Sequence, residues 1–237
     1  MKLQEFVPRS LTGQKADGVG VGPRNPFHRC MEMKTPLDVG FPAWIHDKGH
    51  QLLRECARVV QELTGSGLGL AVGSIDGRAM SGRLEADAGV LKVGGRLAPR
   101  TGWAPLCNDQ GCPLMCAGEQ IYSWESSRGH TARSYSAPVH MRQVVVHGSH
   151  LLSDAEDRQA DPYLGHGYIR TLCRHLFQVY AHAYLNHYEG LQGRYFEHFL
   201  CCYFEHFVLV TLELDLVGKE DLLPLRSVID EIVVALP

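Results

Sequence analysis

Two short pairs of soft ligands are the residues of this chain best suited to chemistry. Cys107 and Cys112 form a C-x4-C pair in CNDQGC, and His182 and His187 form an H-x4-H pair in AHAYLNH. Two thiolates and two imidazoles make up the tetrahedral Cys2His2 set that zinc favours, and both spacings fall within the ranges such sites use. Gly111 allows a sharp turn between the cysteines. The histidines pose a geometric problem. Residues five apart on an ideal helix point about 140° apart, so this pair meets at one ion only with divergent rotamers or a distorted turn. Eight Cys and 13 His make chance pairs common, so spacing alone leaves a metal centre and incidental pairs both open. Other histidines, His147 with His150 and His198 with His206, read as ordinary surface or core residues.

The composition bounds the rest. With 45% hydrophobic and 21% charged residues, the chain can bury a sizeable core, and a soluble globular class is the default. A formal net charge of −3 argues against a general nucleic-acid binder, which gains affinity when a basic surface releases counterions. No apolar run approaches the roughly 18–20 residues of a membrane span. The start, MKLQEFVPRSLTGQKADG, has no continuous apolar stretch, so no secretory signal is expected. Scattered cysteines then suit a reducing compartment, with some thiols on metal, better than a disulfide framework.

The elements that must hold the ligands follow from apolar periodicity. Residues 1–36, with GVGVGPRNP in their middle, read as a disordered tail. Trp44, Leu52, Cys56, Val59, Val60 and Leu63 predict a helix over 44–63 that Gly65 caps. From about 65 to 105 the chain is rich in Gly and small residues. Compact domains rarely hold so long a loop, so this reads as a largely disordered insertion, with two weak strands near 70–72 and 90–93 as the alternative. Residues 119–136 predict a hairpin, with Ile121 and Trp124 in one arm, Tyr135 in the other and SSRGH between. The stretch from there to 168 reads as a short linker.

The clearest helix spans 168–189, with Ile169, Leu172, Leu176, Val179, Tyr180 and Ala183 on one face. A second covers 195–214 along Phe199, Tyr203, Phe207, Val210 and Leu214, and Gly218 breaks it. A third runs over 222–236, entered through Asp221 and Pro224 and burying Leu225, Val228, Ile229, Ile232 and Val233. Successive amphipathic helices argue a mainly α helical bundle over 37–237.

Around the ligand pairs the motifs resemble the Mob (Mob/phocein) family. CNDQGCPLMCAGEQIYSW followed by SYSAP is similar to that family's C-x4-C pair, its CPxM-type segment, an aromatic strand ending in Trp, and a SAP triplet. CRHLFQVYAHAYLNHY resembles the family helix that carries the second ligand pair, and YFEHFVLVTLELDLVGKEDLLPL its closing segments. The similarity covers about 107–236 well and reaches weakly to Trp44. It implies a four-helix-bundle-like fold with a small β-hairpin, pinned by one structural zinc on Cys107, Cys112, His182 and His187. It also implies a non-enzymatic adaptor of the cytoplasm, with the nucleus as a second location, that binds the N-terminal regulatory region of an NDR/LATS-type AGC kinase. AHAYLNH and the FLC at 199–201 lean toward the phocein branch, which serves phosphatase–kinase scaffolds, while SAP and the CPxM segment lean away from it.

The resemblance also marks departures. Its phosphate pocket uses three basic residues, and the matching positions are Arg174, His175 and Gln178. Arg174 alone is a fixed cation, so phosphopeptide binding is expected to be weak, rising as His175 protonates. The kinase-contacting stretch is acidic before its Trp, whereas VGFPAW has Val39 and Ala43 there. Trp44 is therefore either a kinase contact or a core anchor. A zinc hydrolase is the competing class. It is disfavoured because four protein ligands close the coordination sphere that a catalytic zinc leaves open, and no H-E-x-x-H occurs.

Overall fold

The computed structural model describes residues 41–65, 105–124, 132–157 and 167–234. The expected tail, and all but the ends of the expected insertion, lie outside them. Helix α1, Phe41–Thr64, buries Trp44, Ile45, Leu52, Leu53, Cys56, Val59, Val60 and Leu63, the face that 3.6-residue periodicity selects. It ends as the sequence predicts. Gly65 takes φ +61°, and its N–H donates to the Gln61 carbonyl at 2.9 Å, a left-handed cap open to glycine. Pro105 lies directly against that glycine, its Cγ 2.9 Å from where a Cβ would sit. Two residues on, the Cys107 N–H donates to the Leu63 carbonyl at 2.9 Å.

The hairpin begins earlier than its apolar residues suggest. Strands β1, Cys116–Ala117, and β2, Gln120–Ile121, pair antiparallel with Cys116 opposite Ile121. Gly118, at φ +60°, supplies the left-handed turn residue between them. Beyond β2 the same arm continues to Trp124, which bridges Arg133 antiparallel, and the Met115 N–H donates to the Tyr135 carbonyl. The expected arms thus exist, folded as three short segments.

The short linker expected after the SAP triplet is instead a helix, α2, Ala137–Asp157. Three consecutive valines at 144–146, Gly148 and a buried His140 are poor helix formers. Packing overrides propensity here, since Ala137, Met141, Val144, Val145 and Leu152 are all buried. Two glycines set how closely the helices approach. A Cβ on Gly49 of α1 would meet Ile169 Cδ1 at 2.8 Å and Leu152 Cδ2 at 2.9 Å, and one on Gly148 would meet Leu172 and Leu53 methyls at 2.8 Å each. Overpacking of this kind costs roughly 1–3 kcal/mol. Gly148→Val is expected to lower stability by that amount in chemical denaturation, and an unchanged midpoint would show that α1 and α3 yield to the added methyls.

Helix α3, Gly167–His182, runs straight into a π-helical turn, Ala183–His187, and a last turn, α4, Tyr188–Leu191. α1 packs on α2, α3 and α5, where α5 spans Tyr195–Glu213. Phe204, Phe207 and Tyr180 cluster between α3 and α5, with ring centroids 5.2–6.2 Å apart. His206, in α5, is buried and meets the Glu55 carboxylate of α1 at 2.8 Å, while His198 is exposed. A 3-10 turn over Leu223–Leu225 with Pro224 at its start leads into α6, Arg226–Val234. Leu225, Val228, Ile229 and Ile232 are buried as expected, but Val233 is 44% exposed. It lies one residue past Ile232, about 100° round the helix, and faces outward. No described helix is long and apolar enough to cross a membrane.

Candidate metal centre

The loop between the two cysteines is shaped by Asn108. Its side-chain oxygen accepts from the N–H groups of Gln110 and Gly111 at 3.1 and 2.8 Å, and its carbonyl accepts from the Cys112 N–H at 2.8 Å. This Asx turn does the work expected of Gly111, which is not in the left-handed region. The SAP triplet anchors the loop from outside. Ser136 Oγ donates to Asp109, and the Ala137 N–H at the start of α2 donates to the Cys112 carbonyl at 3.0 Å.

The histidine problem is solved by the backbone. In the π-helical turn the hydrogen bonds run from i to i+5, so His182 and His187 come round to nearly the same side, with Nε2 atoms 3.1 Å apart. Such turns are rare and concentrate at functional sites. Cys107 Sγ lies 3.4 Å from His182 Nε2, and Cys112 Sγ lies 3.4 Å from His187 Nε2. All four donor atoms fall within 4.8 Å of one another. A zinc tetrahedron with the usual Zn–S and Zn–N bond lengths has edges of about 3.4 Å between nitrogens and about 3.6 Å between nitrogen and sulfur, so the donors fit a bound ion. The four residues that sequence spacing picked out are the only metal-ligand cluster of three or more among the described residues.

The surroundings suit the role. His182 Nδ1 donates to the Cys116 carbonyl at 2.7 Å, which fixes the ring and turns Nε2 toward Cys107 and His187, the orientation a metal-binding imidazole needs. Cys116 was not visible as a supporting residue, because its contribution is backbone. Burial, then the neighbouring Cys112, push the Cys107 thiol up. Burial, then His182, lower His187 to about 4, and burial lowers His182 despite the carbonyl bond. The imidazoles are thereby kept neutral with lone pairs available, and a cation would supply the charge that lets the thiols ionise.

Residues 101–225 match the family described as Mob1/phocein. The chain belongs to that family. The Mob homologues it resembles are distant. It is 30% identical to MOB kinase activator-like 1B of Medicago sativa subsp. falcata over 136 residues, 54% of this chain and 63% of that protein. It is 29% identical to MOB kinase activator-like 1A of Arabidopsis thaliana over 135 residues and 28% identical to human MOB kinase activator 3C over 139, with the same coverage. The chain thus spans a little under two thirds of the length of these curated relatives.

The positions matching the Mob phosphate pocket do not form an open basic site. Arg174 is exposed and paired with Asp221 at 3.5 Å. The Gln178 carbonyl accepts from His140 Nε2 at 2.8 Å. His175 stacks on Trp124 at 4.9 Å and 22° and meets His147 edge-on. Its Nδ1 is buried without a partner among the described residues. Burial first, then His147, His140 and Arg174, lower His175 to about 4, so its protonation offers no second cation near neutral pH. Trp44 is 7% exposed, which is the core placement of its two readings. The grouping of His140, His147 and His175 around Trp124 was missed. The seven-residue spacing of His140 and His147, two turns of one helix face, was the signal that could have found it.

Proposed function

We propose that this Mob-family chain is a non-catalytic adaptor of the cytoplasm. It holds one structural zinc on Cys107, Cys112, His182 and His187 and binds a protein kinase through the N-terminal regulatory segment of an NDR/LATS-type enzyme. The observation that carries this reading is the closed donor set. Four protein ligands complete a tetrahedron between the Cys loop and α3, so zinc there cross-links the fold and leaves no open position for a substrate or an activated water. The names of the curated relatives, MOB kinase activators, supply the kinase. The paired Arg174, the engaged Gln178 carbonyl and the neutral His175 argue that phosphothreonine recognition is weak.

The test is calorimetric titration of the full chain with regulatory segments of an NDR-type kinase, a LATS-type kinase and an unrelated kinase. A phosphothreonine peptide and its unphosphorylated twin form the second arm. The expected result is saturable binding to an NDR- or LATS-type segment, with the two peptides alike and weak. Binding to none of the kinase segments would overturn the kinase reading. Tight binding that depends on the phosphate would overturn the closed pocket.

A further inference from the structure

We propose that His46 and His50 form a second metal site, a bidentate di-imidazole chelate for a divalent transition-metal ion, separate from the Cys2His2 centre. The two residues are one turn apart on α1, the spacing at which helix side chains stand over one another. Their Nε2 atoms are 3.1 Å apart, and the rings cross at 81° with centroids 4.7 Å apart. The paired histidines of the four-ligand centre show almost the same arrangement. Their Nε2 atoms are also 3.1 Å apart, and their rings cross at 68° with centroids 4.9 Å apart. Two neighbouring imidazoles thus aim the same nitrogen at one point in both places, once on a π-helical turn and once on a regular helix.

The support is that of a ligand pair. His46 Nδ1 lies 3.3 Å from the Tyr168 hydroxyl, a polar contact on the far nitrogen of the kind that orients a metal-binding imidazole and leaves Nε2 for the ion. Tyr168 stands in the first turn of α3, beside the Ile169 methyl that packs against Gly49. That close approach between the two histidines fixes the α1 backbone beneath them, which a precise site needs. Both rings are half-buried, within reach of solvent. Imidazole nitrogens suit zinc, nickel or copper, and exclude magnesium and calcium, which take oxygen ligands.

The test starts from full-length chain with one zinc per molecule by elemental analysis, titrated with nickel chloride. Wild type is expected to take up one further ion and to gain melting temperature. His46→Gln and His50→Gln are each expected to weaken that uptake at least tenfold while keeping the zinc. Tyr168→Phe is expected to weaken it less and leave the stoichiometry unchanged. Should the Gln variants fold poorly, nickel added to wild type is expected to broaden the ring resonances of His46 and His50 and to leave those of His182 and His187 sharp. No further uptake by wild type, equal uptake by the Gln variants, or unbroadened His46 and His50 signals would overturn the proposal. Any of these would leave the pair as a histidine–histidine hydrogen bond. None of these outcomes bears on kinase binding.

Discussion

Cys107→Ser is expected to release the metal and lower the melting temperature on the order of 10 °C or more. The size follows from where the ligands lie. Cys107 itself bonds to the end of α1, His182 ends α3 and His187 ends the π-helical turn after it, so one ion there would tie segments far apart in sequence. Structural zinc in small fingers is worth roughly 10–16 kcal/mol. Here an apolar core from α1, α2, α3 and α5 persists without it, so the loss is smaller. About 4 kcal/mol already moves the midpoint of a domain this size by about 8–16 °C, at 2–4 °C per kcal/mol. His187→Ala is expected to behave alike, with the added strain of a π-helical turn deprived of its ion. Zinc content and calorimetric melting, on wild type before and after chelation, check this. A metal-free wild type that melts with the loaded protein would show that the four residues hold nothing the fold depends on.

The second large effect is a loss of stability in mild acid that runs through His175. Its ring is wedged between Trp124 and His147, with His140 and Arg174 close by, and burial lowers it to about 4. A histidine unfolded into water titrates near 6.5. Between those values the unfolded chain binds more protons than the folded one, so stability rises with pH. The contribution is fully present above about pH 6.5, falls as the pH drops through that window, and is gone near pH 4 and below. A shift of this size is worth on the order of 3 kcal/mol. His175→Phe keeps a flat ring on Trp124 without the proton. Its denaturation midpoints are expected to fall less steeply between pH 6.5 and 4 than those of wild type, while the metal ligands contribute equally to both. Parallel curves would mean that the ring is already solvated in the folded state.

What was legible in the sequence and what was not divides along physical lines. The clustering of Cys107, Cys112, His182 and His187 was legible because metal chemistry restricts residue type and spacing together. The need for divergent rotamers or a distorted turn was legible too, since five residues do not close a regular helical turn. That the distortion is a π-helical turn was not, because nothing in AYLNH codes for it locally. α1, α3 and α5 were legible from unbroken apolar periodicity. α2 was passed over although Ala137, Met141, Val144, Val145, Gly148 and Leu152 recur at helical spacing, because a valine run and a glycine weaken the local signal. The glycine proves to be a packing contact with Leu53 and Leu172, information that resides in two other helices. The pairing of Arg174 was not legible for the same reason. Its partner, Asp221, is 47 positions away and meets it only through the fold.

Gly65 and Pro105 touch, so the two positions that bound residues 66–104 stand side by side and form a doorway. The two sides of that doorway are held by the cap of α1 and by the Leu63–Cys107 hydrogen bond. Closing a chain on itself grows dearer only as the logarithm of its length, by about 0.6 kcal/mol per doubling. The doorway therefore works as a splice point. Segments of very different length can be exchanged there over evolutionary time, while Cys107, two residues beyond it, keeps its place.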